Sequence, residues 1–273
     1  MTKLTPLQNR LLLMLEWFHD FCEKNGLTYY IVGGTMLGAL RHRGFIPWDD
    51  DVDVIMPRPD YERLQVLLRN RIDNYVLENP YVGTEDYLYS FSKLYDVTTT
   101  MVEDAQIKVR RGVYIDVFPL DGLGNTYIES KRFYKKIDKL NMLIATKTSK
   151  VRKGRKIYKN IAIIVVNLFS KRILDTKGLI LLFDSMCKRH SYETSKYVAN
   201  CASVYRFKEI MKKSVYGKPT KYQFEDILVY GLENPEEYLS NLYGNWKELP
   251  PEDKRQSNHD FIALDLSKSY LDS

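Results

Sequence analysis

Residues 33–57 read GGTMLGALRHRGFIPWDDDVDVIMP, and four aspartates crowd into the second half of this stretch. Asp51 and Asp53 alternate with valines, which is typical of a strand over residues 50–56. Because alternate residues of a strand share a face, we expect both carboxylates on one side, about 6.6 Å apart. Two ionised carboxylates so close need a cation between them or a shifted pKa. The stretch therefore predicts a site for Mg²⁺, which prefers carboxylate and phosphate oxygens.

A third acidic residue, Asp116, lies within VYIDVFPL, a run of strand-forming residues. A carboxylate inside such a strand is unfavourable unless it is paired or binds a metal ion. Asp116 is therefore predicted to complete the Mg²⁺ site and to accept a proton from a substrate hydroxyl. Asp49 and Asp50 are assigned to turn or cap positions and are left out of this site.

The glycines supply the other half of the expected site. The strand-like run LTYYIV ends in Gly33 and Gly34, and Thr35 follows at the start of a short helix. A turn without Cβ atoms, leading into a helix N-terminus, allows a phosphate to approach backbone N–H groups. Arg41 and Lys93 are further candidates for phosphate contact. Together these features are typical of phosphoryl transfer.

Composition limits the class of protein. The chain has 273 residues, with 44% hydrophobic and 28% charged residues. Its three cysteines are far apart in sequence, which indicates a reducing compartment and argues against structural zinc. Since no cleavage site follows the apolar start of the chain, we expect a cytoplasmic location.

Charge is distributed unevenly along the chain. Lys131 to Arg172 holds 14 Lys or Arg and one acid, a net charge of +13, whereas the whole chain carries +6. Because the positive charge is confined to this basic segment, we do not expect a general nucleic-acid binder.

The order of the patterns predicts a mixed α/β fold with a sheet flanked by helices. Apolar residues recur at helical spacing from Leu7 to Cys22, with Thr5 as the N-cap and Gly26 as the stop. Strand-like runs follow to about residue 125. The expected organisation is a catalytic core, a basic helical segment and a C-terminal part of short helices and loops, over residues 1–125, 126–175 and 176–273.

The motifs GG-T, W-DDDVDV-MPR, YIDVFPLDG and a late YGNW…LPP…R…H resemble the LicD family of phosphocholine transferases, a branch of the nucleotidyltransferase fold. The resemblance is clearest over residues 31–60, 89–122 and 238–259. It implies a nucleotidyltransferase-like core. It also implies that Asp51, Asp53 and Asp116 form the metal-binding triad, and that the phosphate-binding turn comprises Gly33, Gly34 and Thr35.

Members of this family are understood to transfer phosphocholine from CDP-choline to a sugar of teichoic acid or lipopolysaccharide, releasing CMP. The resemblance thus implies a Mg²⁺-dependent enzyme with CDP-choline as donor and a lipid-linked glycan precursor as acceptor. Two alternatives remain open: a transferase of the same fold that uses CDP-ethanolamine or CDP-ribitol, and a module that binds such a ligand without turnover. No nucleic-acid module is visible in the sequence.

Choline is a quaternary ammonium ion and suits an aromatic cage. The chain holds 21 Tyr, 11 Phe and 3 Trp, and the candidates closest to the motifs are Trp48, Tyr89 and Trp246. Tyr87 and Tyr243 are further candidates. For each of these residues, packing in the core is the alternative.

The basic segment contains the apolar run IAIIVVNLF, which is shorter than the roughly 20 residues that span a bilayer. The run is expected either to lie in a membrane interface or to be a buried core helix. In the first case, basic side chains such as Lys147, Lys150, Lys153 and Lys156 would lie near anionic lipid headgroups at the inner face of the cell membrane.

Overall fold

The computed structural model describes residues 3–104, 108–168, 175–257 and 261–272. Helices occupy α1 (Pro6–Asn25), α2 (Gly33–His42), α3 (Arg58–Leu67), α4 (Tyr127–Thr148), α5 (Ile157–Leu168), α6 (Thr176–Cys187), α7 (Lys213–Tyr216) and α8 (Pro235–Tyr243). Strands occupy β1 (Tyr30–Ile31), β2 (Asp53–Pro57), β3 (Tyr75–Glu78), β4 (Ser92–Asp96), β5 (Thr100–Glu103), β6 (Arg110–Arg111), β7 (Tyr114–Gly124), β8 (Tyr197–Asn200), β9 (Met211–Lys212), β10 (Thr220–Phe224), β11 (Ile227–Gly231) and β12 (Phe261–Asp265). The mixed α/β class predicted from the sequence is confirmed.

Helix α1 forms as its sequence predicts. The Thr5 hydroxyl accepts a hydrogen bond from the Gln8 N–H, and the Gln8 side-chain oxygen accepts one from the Thr5 N–H. This reciprocal pair satisfies two of the free donors at the helix start. Gly26 ends the helix in the left-handed conformation at φ +58°, and the apolar stripe from Leu7 to Cys22 is buried in the main core.

The main sheet has the order β1-β2-β7-β4-β3, and β8 and β9 extend it beside β7. Strands β2 and β7 are parallel, whereas β4 runs antiparallel to β7. The apolar side chains of the middle strands and of the residue just before β2 are buried in the core: Val52, Val54, Ile115 and Val117. The sheet therefore presents β2, β7 and β4 side by side at its centre.

Strand β2 begins at Asp53, so the prediction of a strand from residue 50 is wrong at its start. Strand β1 ends at Ile31 and the chain then turns into α2, which leaves β2 without a strand neighbour on that side before Asp53. At this position the Thr35 hydroxyl accepts the Asp53 N–H at 2.9 Å. Asp51 consequently lies just before the strand.

The C-terminal part contains strands as well as the expected short helices. Strands β8 and β9 join the main sheet, β12 pairs with β5, and β10 and β11 form a hairpin. The hairpin is encoded in TKYQFEDILVYG, where alternating residues flank a turn with Glu225 at φ +54°. Because β8 pairs with β7, the C-terminal part completes the same sheet as the first 125 residues.

A second, smaller core packs α4 and α6 around Tyr134, Ile137, Ile180 and Phe183. Helix α5 lies beyond it and is mostly exposed. Within the described ranges, no helix combines the length and the apolar character that crossing a bilayer requires.

Candidate active site

Three neighbouring strands place Asp53, Asp116 and Lys93 side by side in what we call the acidic row. Asp53 of β2 is in register with Asp116 of β7, and Asp116 is in register with Lys93 of β4. Residues paired in this way share one face of a sheet. Lys93 Nζ lies 2.7 Å from Asp116 Oδ1, and both side chains are largely buried. The predicted partners Asp53 and Asp116 are therefore brought together, and Lys93 is their neighbour.

Negative charge exceeds positive charge at the acidic row. Burial raises the pKa of Asp53 well above its ordinary value, and the charges of Asp51, Asp116 and Asp49 raise it further, whereas Lys93 opposes the shift. Burial likewise raises the pKa of Asp116, against the lowering effect of Lys93. Carboxylates that are held close enough to raise one another's pKa fit a hard divalent cation, because such an ion favours their ionised forms.

A tighter set of candidate metal ligands lies elsewhere in the chain. Within the described part, Asp121, Cys187 and Cys201 each place one ligand atom within 4.8 Å of the others. Both oxygens of Asp121 already accept hydrogen bonds from Arg58, at 2.7 and 2.9 Å. We therefore do not assign a metal to this set. In the acidic row, by contrast, we expect phosphate oxygens of a substrate to share the coordination of an ion with the carboxylates.

The glycine turn packs directly against these carboxylates. Gly33 begins α2 at φ +57°, and a Cβ atom there would lie 2.9 Å from Asp53 Oδ2. A Cβ atom on Gly34 would lie 2.6 Å from Asp49 Oδ2. A side chain at either position would displace the neighbouring carboxylate, and Gly33 also has a positive φ that other residues rarely adopt. Asp49, which the sequence prediction left out of the site, thus borders the turn. Its closeness to Gly34 does not follow from the spacing of the two residues in the sequence.

Thr35 and Arg41 both have structural contacts in addition to their predicted phosphate-binding roles, which stay predictions. The Thr35 hydroxyl accepts the Asp53 N–H and is buried. Arg41 Nη1 donates to the carbonyl oxygens of Trp246, at 2.9 Å, and of Glu248, at 3.2 Å. Arg41 therefore holds the C-terminal segment against α2.

The aromatic candidates fall into two groups. Trp48 packs edge-to-face on His42 at 6.3 Å between ring centroids, and Trp246 is buried near Arg41. In the segment between β3 and β4, Tyr87 and Tyr89 pack edge-to-face at 5.4 Å. The Lys93 ammonium lies 4.3 Å from the centroid of the Tyr89 ring. Among the described residues, no ring contact joins Trp48, Tyr89 and Trp246 to one another, and their role in binding choline stays a prediction.

Two further tyrosines, Tyr238 at the glycine turn and Tyr205, were missed from the sequence. The Tyr238 hydroxyl accepts the Gly33 N–H at 3.2 Å. Tyr205 packs edge-to-face on Tyr243 at 5.2 Å. Burial raises the pKa of Tyr205, a hydrogen bond with Tyr243 opposes the shift, and the charges of Glu209, Asp53 and Asp49 add to it. These residues come from distant parts of the chain, and no local motif marks them.

A mixed sheet that presents two carboxylates in register beside a glycine turn is the arrangement expected of a phosphoryl-transfer enzyme. The family profile described as the LicD/FKTN/FKRP nucleotidyltransferase domain matches residues 26–143. The chain is 30% identical over 271 residues to the lipopolysaccharide cholinephosphotransferase LicD of Haemophilus influenzae, a match that covers 95% of this chain and 97% of that protein. The chain therefore belongs to the LicD family, and the predicted family membership is confirmed.

Two other relatives match shorter regions. The chain is 31% identical over 134 residues to the mannosyltransferase regulator 4 of Saccharomyces cerevisiae, covering 46% of this chain and 11% of that protein. It is 46% identical over 50 residues to an uncharacterized protein of Rickettsia prowazekii, covering 18% of this chain and 19% of that protein.

Proposed function

We propose that this protein transfers phosphocholine from CDP-choline to a sugar hydroxyl of a lipopolysaccharide or teichoic acid precursor and releases CMP, with Mg²⁺ as cofactor. The single observation that carries this proposal is the acidic row beside the glycine turn. Similarity to a lipopolysaccharide cholinephosphotransferase over 95% of the chain supports the choice of donor and acceptor.

The residues of the site have distinct roles in this reaction. Asp51, Asp53 and Asp116 would hold Mg²⁺, which when bound neutralises charge on the donor diphosphate. Gly33 and Gly34 let a phosphate approach the start of α2. A new bond forms between the acceptor oxygen and the phosphorus that carries choline, and the bond from that phosphorus to the CMP oxygen breaks.

The proton of the acceptor hydroxyl needs a base. We assign this role to Asp116, whose side chain is 16% exposed and can therefore contact a substrate hydroxyl. Lys93 donates to Asp116 Oδ1 and thereby orients the carboxylate, which leaves Oδ2 for the acceptor hydroxyl or the cation.

The test is CMP release from three donors. The purified protein is incubated with Mg²⁺, a lipid-linked glycan acceptor and either CDP-choline, CDP-ethanolamine or CDP-ribitol, and CMP is measured by liquid chromatography. We expect CMP from CDP-choline at the highest rate. A higher rate with another donor would establish the alternative transferase, and binding of CDP-choline without any CMP would establish a non-catalytic module. Asp226→Asn, at an exposed hairpin turn, is the control for the general effect of losing a carboxylate.

We also propose that α5 and the adjoining basic residues bind the surface of an anionic membrane, where a lipid-linked acceptor would be found. The exposed apolar side chains of α5 form one stripe at helical spacing: Ile157, Tyr158, Ile161, Ile164, Val165 and Leu168. Ile163 is the buried residue of this helix. The alternative of a buried core helix is therefore wrong for residues 157–168, whereas Phe169 to Arg172 lie outside the described residues.

Exposed basic side chains next to this stripe supply the charge complementarity: Lys153, Lys156 and Lys159. Two other lysines that were predicted to contact lipid headgroups have partners or positions within the protein. Lys147 is buried on α4, and Lys150 pairs with Asp104 at 2.7 Å. An apolar face flanked by lysines is typical of helices that lie in the interface of anionic membranes.

Flotation with vesicles that contain phosphatidylglycerol tests this docking. We expect the protein to float at low salt and to be released at high salt, and the Lys153→Gln, Lys156→Gln, Lys159→Gln variant to float less. Ile161→Ser with Ile164→Ser should also lose binding, whereas Leu13→Ser, an exposed leucine on α1, should not. Absence of flotation of the folded protein at low salt would contradict the proposal.

A further inference from the structure

A cavity of about 180 Å³ lies beside the acidic row, on the same face of the sheet. Its walls include Tyr114 and Tyr95, which pair with each other across β7 and β4. The next row on that face pairs Asp116 with Lys93, two residues along each strand. Two residues of a strand span about 6.6 Å. A group joined to a phosphate at the acidic row by a two-carbon chain therefore reaches the near wall of this cavity.

Four tyrosine rings line the cavity, and the hydroxyls of Tyr87, Tyr89 and Tyr114 already have acceptors. Tyr87 and Tyr89 form one edge-to-face pair, and Tyr95 and Tyr114, at 5.7 Å, form another. The Tyr89 hydroxyl donates to Glu103 Oε2 at 2.8 Å, and the Tyr114 hydroxyl donates to the other oxygen of the same carboxylate. These bonds hold the rings in place and leave their faces as the binding surface.

Two of these rings, Tyr89 and Tyr114, already contact a cation, the ammonium of Lys93. Lys93 Nζ lies 3.4 Å from the centroid of the Tyr114 ring and 4.3 Å from that of Tyr89. Lys93 is not part of the cavity lining and is almost fully buried, so its ammonium lies behind the tyrosine wall. Ring faces of this kind attract positive charge through their quadrupole.

The charged residues of the lining also favour a cation. Three carboxylates line the described part of the cavity, from Glu78, Asp86 and Glu103, against the single guanidinium of Arg111. Arg111 Nε is paired with Glu78 Oε1 at 3.1 Å. The lining is therefore negative overall, and the Glu103 carboxylate adds charge at the wall that faces the acidic row.

We propose that this cavity binds the trimethylammonium headgroup of the donor and selects it against a primary ammonium; this inference rests on the proposed function. A trimethylammonium ion donates no N–H hydrogen bonds, so it suits ring faces and a carboxylate whose oxygens already accept from tyrosines. A primary ammonium brings three N–H donors that need acceptors. An apolar cavity of about 150 Å³ holds benzene, and the trimethylammonium group with its two-carbon chain is of similar size.

The test compares kcat/KM for CDP-choline with that for CDP-ethanolamine. In Tyr89→Leu we expect the ratio to fall roughly 5- to 30-fold, the range that corresponds to one ring–cation contact. Tyr89→Phe keeps the ring and should keep most of the preference. Glu103→Gln should lower the ratio as well. Tyr127→Leu, at a tyrosine outside the cavity, is the matched control and should leave the ratio unchanged.

The outcomes separate this inference from the proposed function. If the rings only position Lys93, Tyr89→Leu will slow both donors equally and the ratio will not change, which overturns the cavity assignment alone. Calorimetric titration with choline chloride gives a readout without turnover. Choline binding that is lost in Tyr89→Leu, in a protein that releases no CMP, would support the cavity and overturn the reaction. No choline binding together with an unchanged ratio would overturn the cavity.

Discussion

Strand β7 carries two aspartates, Asp116 and Asp121, whose surroundings differ in charge balance. At Asp121, the Arg58 guanidinium donates to both carboxylate oxygens and also to Asp184 at 2.8 Å, and Lys188 lies 2.8 Å from the second oxygen of Asp184. At Asp116, by contrast, the one ammonium of Lys93 stands against the carboxylates of Asp116 and Asp53, and Asp51 and Asp49 add further negative charge. The first cluster is balanced within the protein, whereas the second carries an excess of negative charge.

The two clusters also differ in exposure. The Asp121 side chain is 1% exposed and that of Asp116 is 16% exposed, so a ligand has access to the second only. Burial raises the pKa of Asp121 and Arg58 opposes this. The pKa of Asp184 is lowered despite burial, because Arg58, Lys188 and Tyr81 favour its ionised form. Internal neutralisation marks a structural cluster, and unbalanced carboxylates in reach of solvent mark a candidate for ion binding.

The largest expected effect is on activity at the acidic row. Asp53→Asn and Asp116→Asn each remove a charge that would hold Mg²⁺, and we expect CMP release to fall by a factor of about 10³ or more. Circular dichroism should show an unchanged fold. Asp226→Asn serves as the exposed control and should retain activity. Turnover within a few-fold of wild type in Asp53→Asn would contradict the metal assignment.

The next effect is on stability at the balanced cluster. Arg58→Met leaves the buried carboxylates of Asp121 and Asp184 without their shared cation, and we expect a loss of about 3–5 kcal/mol in the free energy of unfolding by urea denaturation. The triple variant Arg58→Met, Asp121→Leu, Asp184→Leu should recover most of this loss, because the remaining charge of the cluster, Lys188, is partly exposed and keeps Glu62 as a partner at 2.9 Å. If Arg58→Met unfolds at the wild-type urea concentration, the cluster does not stabilise the fold.

A smaller effect is expected at the glycine turn. Gly34→Ala places a Cβ atom against Asp49 and in the path of a phosphate, so the affinity for CDP-choline should fall about tenfold or more, as measured by calorimetry. Gly178→Ala is a matched control, since its Cβ atom would lie 2.9 Å from a carboxylate oxygen of Asp175 at the start of α6. Equal affinity in the two variants would mean that the turn does not contact the donor.

The smallest effect concerns Glu209, a buried carboxylate outside both clusters. Burial raises its pKa to about 7, from an ordinary value of 4.5, and a hydrogen bond from Ser203 opposes the shift. Because the folded state holds this proton more tightly, stability is lost as the pH rises from about 4.5 to about 7. Glu209→Gln should therefore melt a few degrees higher than wild type at pH 8 and equally at pH 4. The exposed Glu85→Gln should show no such difference, and a pH-independent gap in melting temperature would contradict the assignment.

Much of the site could be predicted from local sequence. The alternating aspartates and the glycine turn point to Asp53, Gly33 and Gly34, and the carboxylate within the strand-like run VYIDVFPL points to Asp116. The sequence does not reveal that Lys93 bonds Asp116 or that Asp49 borders Gly34, because strand register and the approach of a turn depend on contacts between distant segments. For the same reason the sequence prediction started β2 too early, at residue 50. The pairing of β2 with β1 stops before Asp51, because the chain turns from β1 into α2.

The fold shows the same limit. Helix α1 was predicted from its spacing and caps, which are local signals. The strands β8 and β12 are short, and they are stabilised by pairing with β7 and β5 rather than by their own sequence. The boundaries at residues 125 and 175 stay a prediction.

The most direct test of the contrast between the two clusters is the effect of Mg²⁺ on melting temperature. An ion that binds only the folded state stabilises it by about 2.7 kcal/mol at a hundredfold excess over Kd. We expect wild type to melt several degrees higher in Mg²⁺ than in chelator, and Asp53→Asn to melt higher than wild type in chelator, because repulsion is relieved, and to gain little from Mg²⁺. An equal gain in wild type and Asp53→Asn, or no gain in wild type, would contradict the assignment of the acidic row as the cation site.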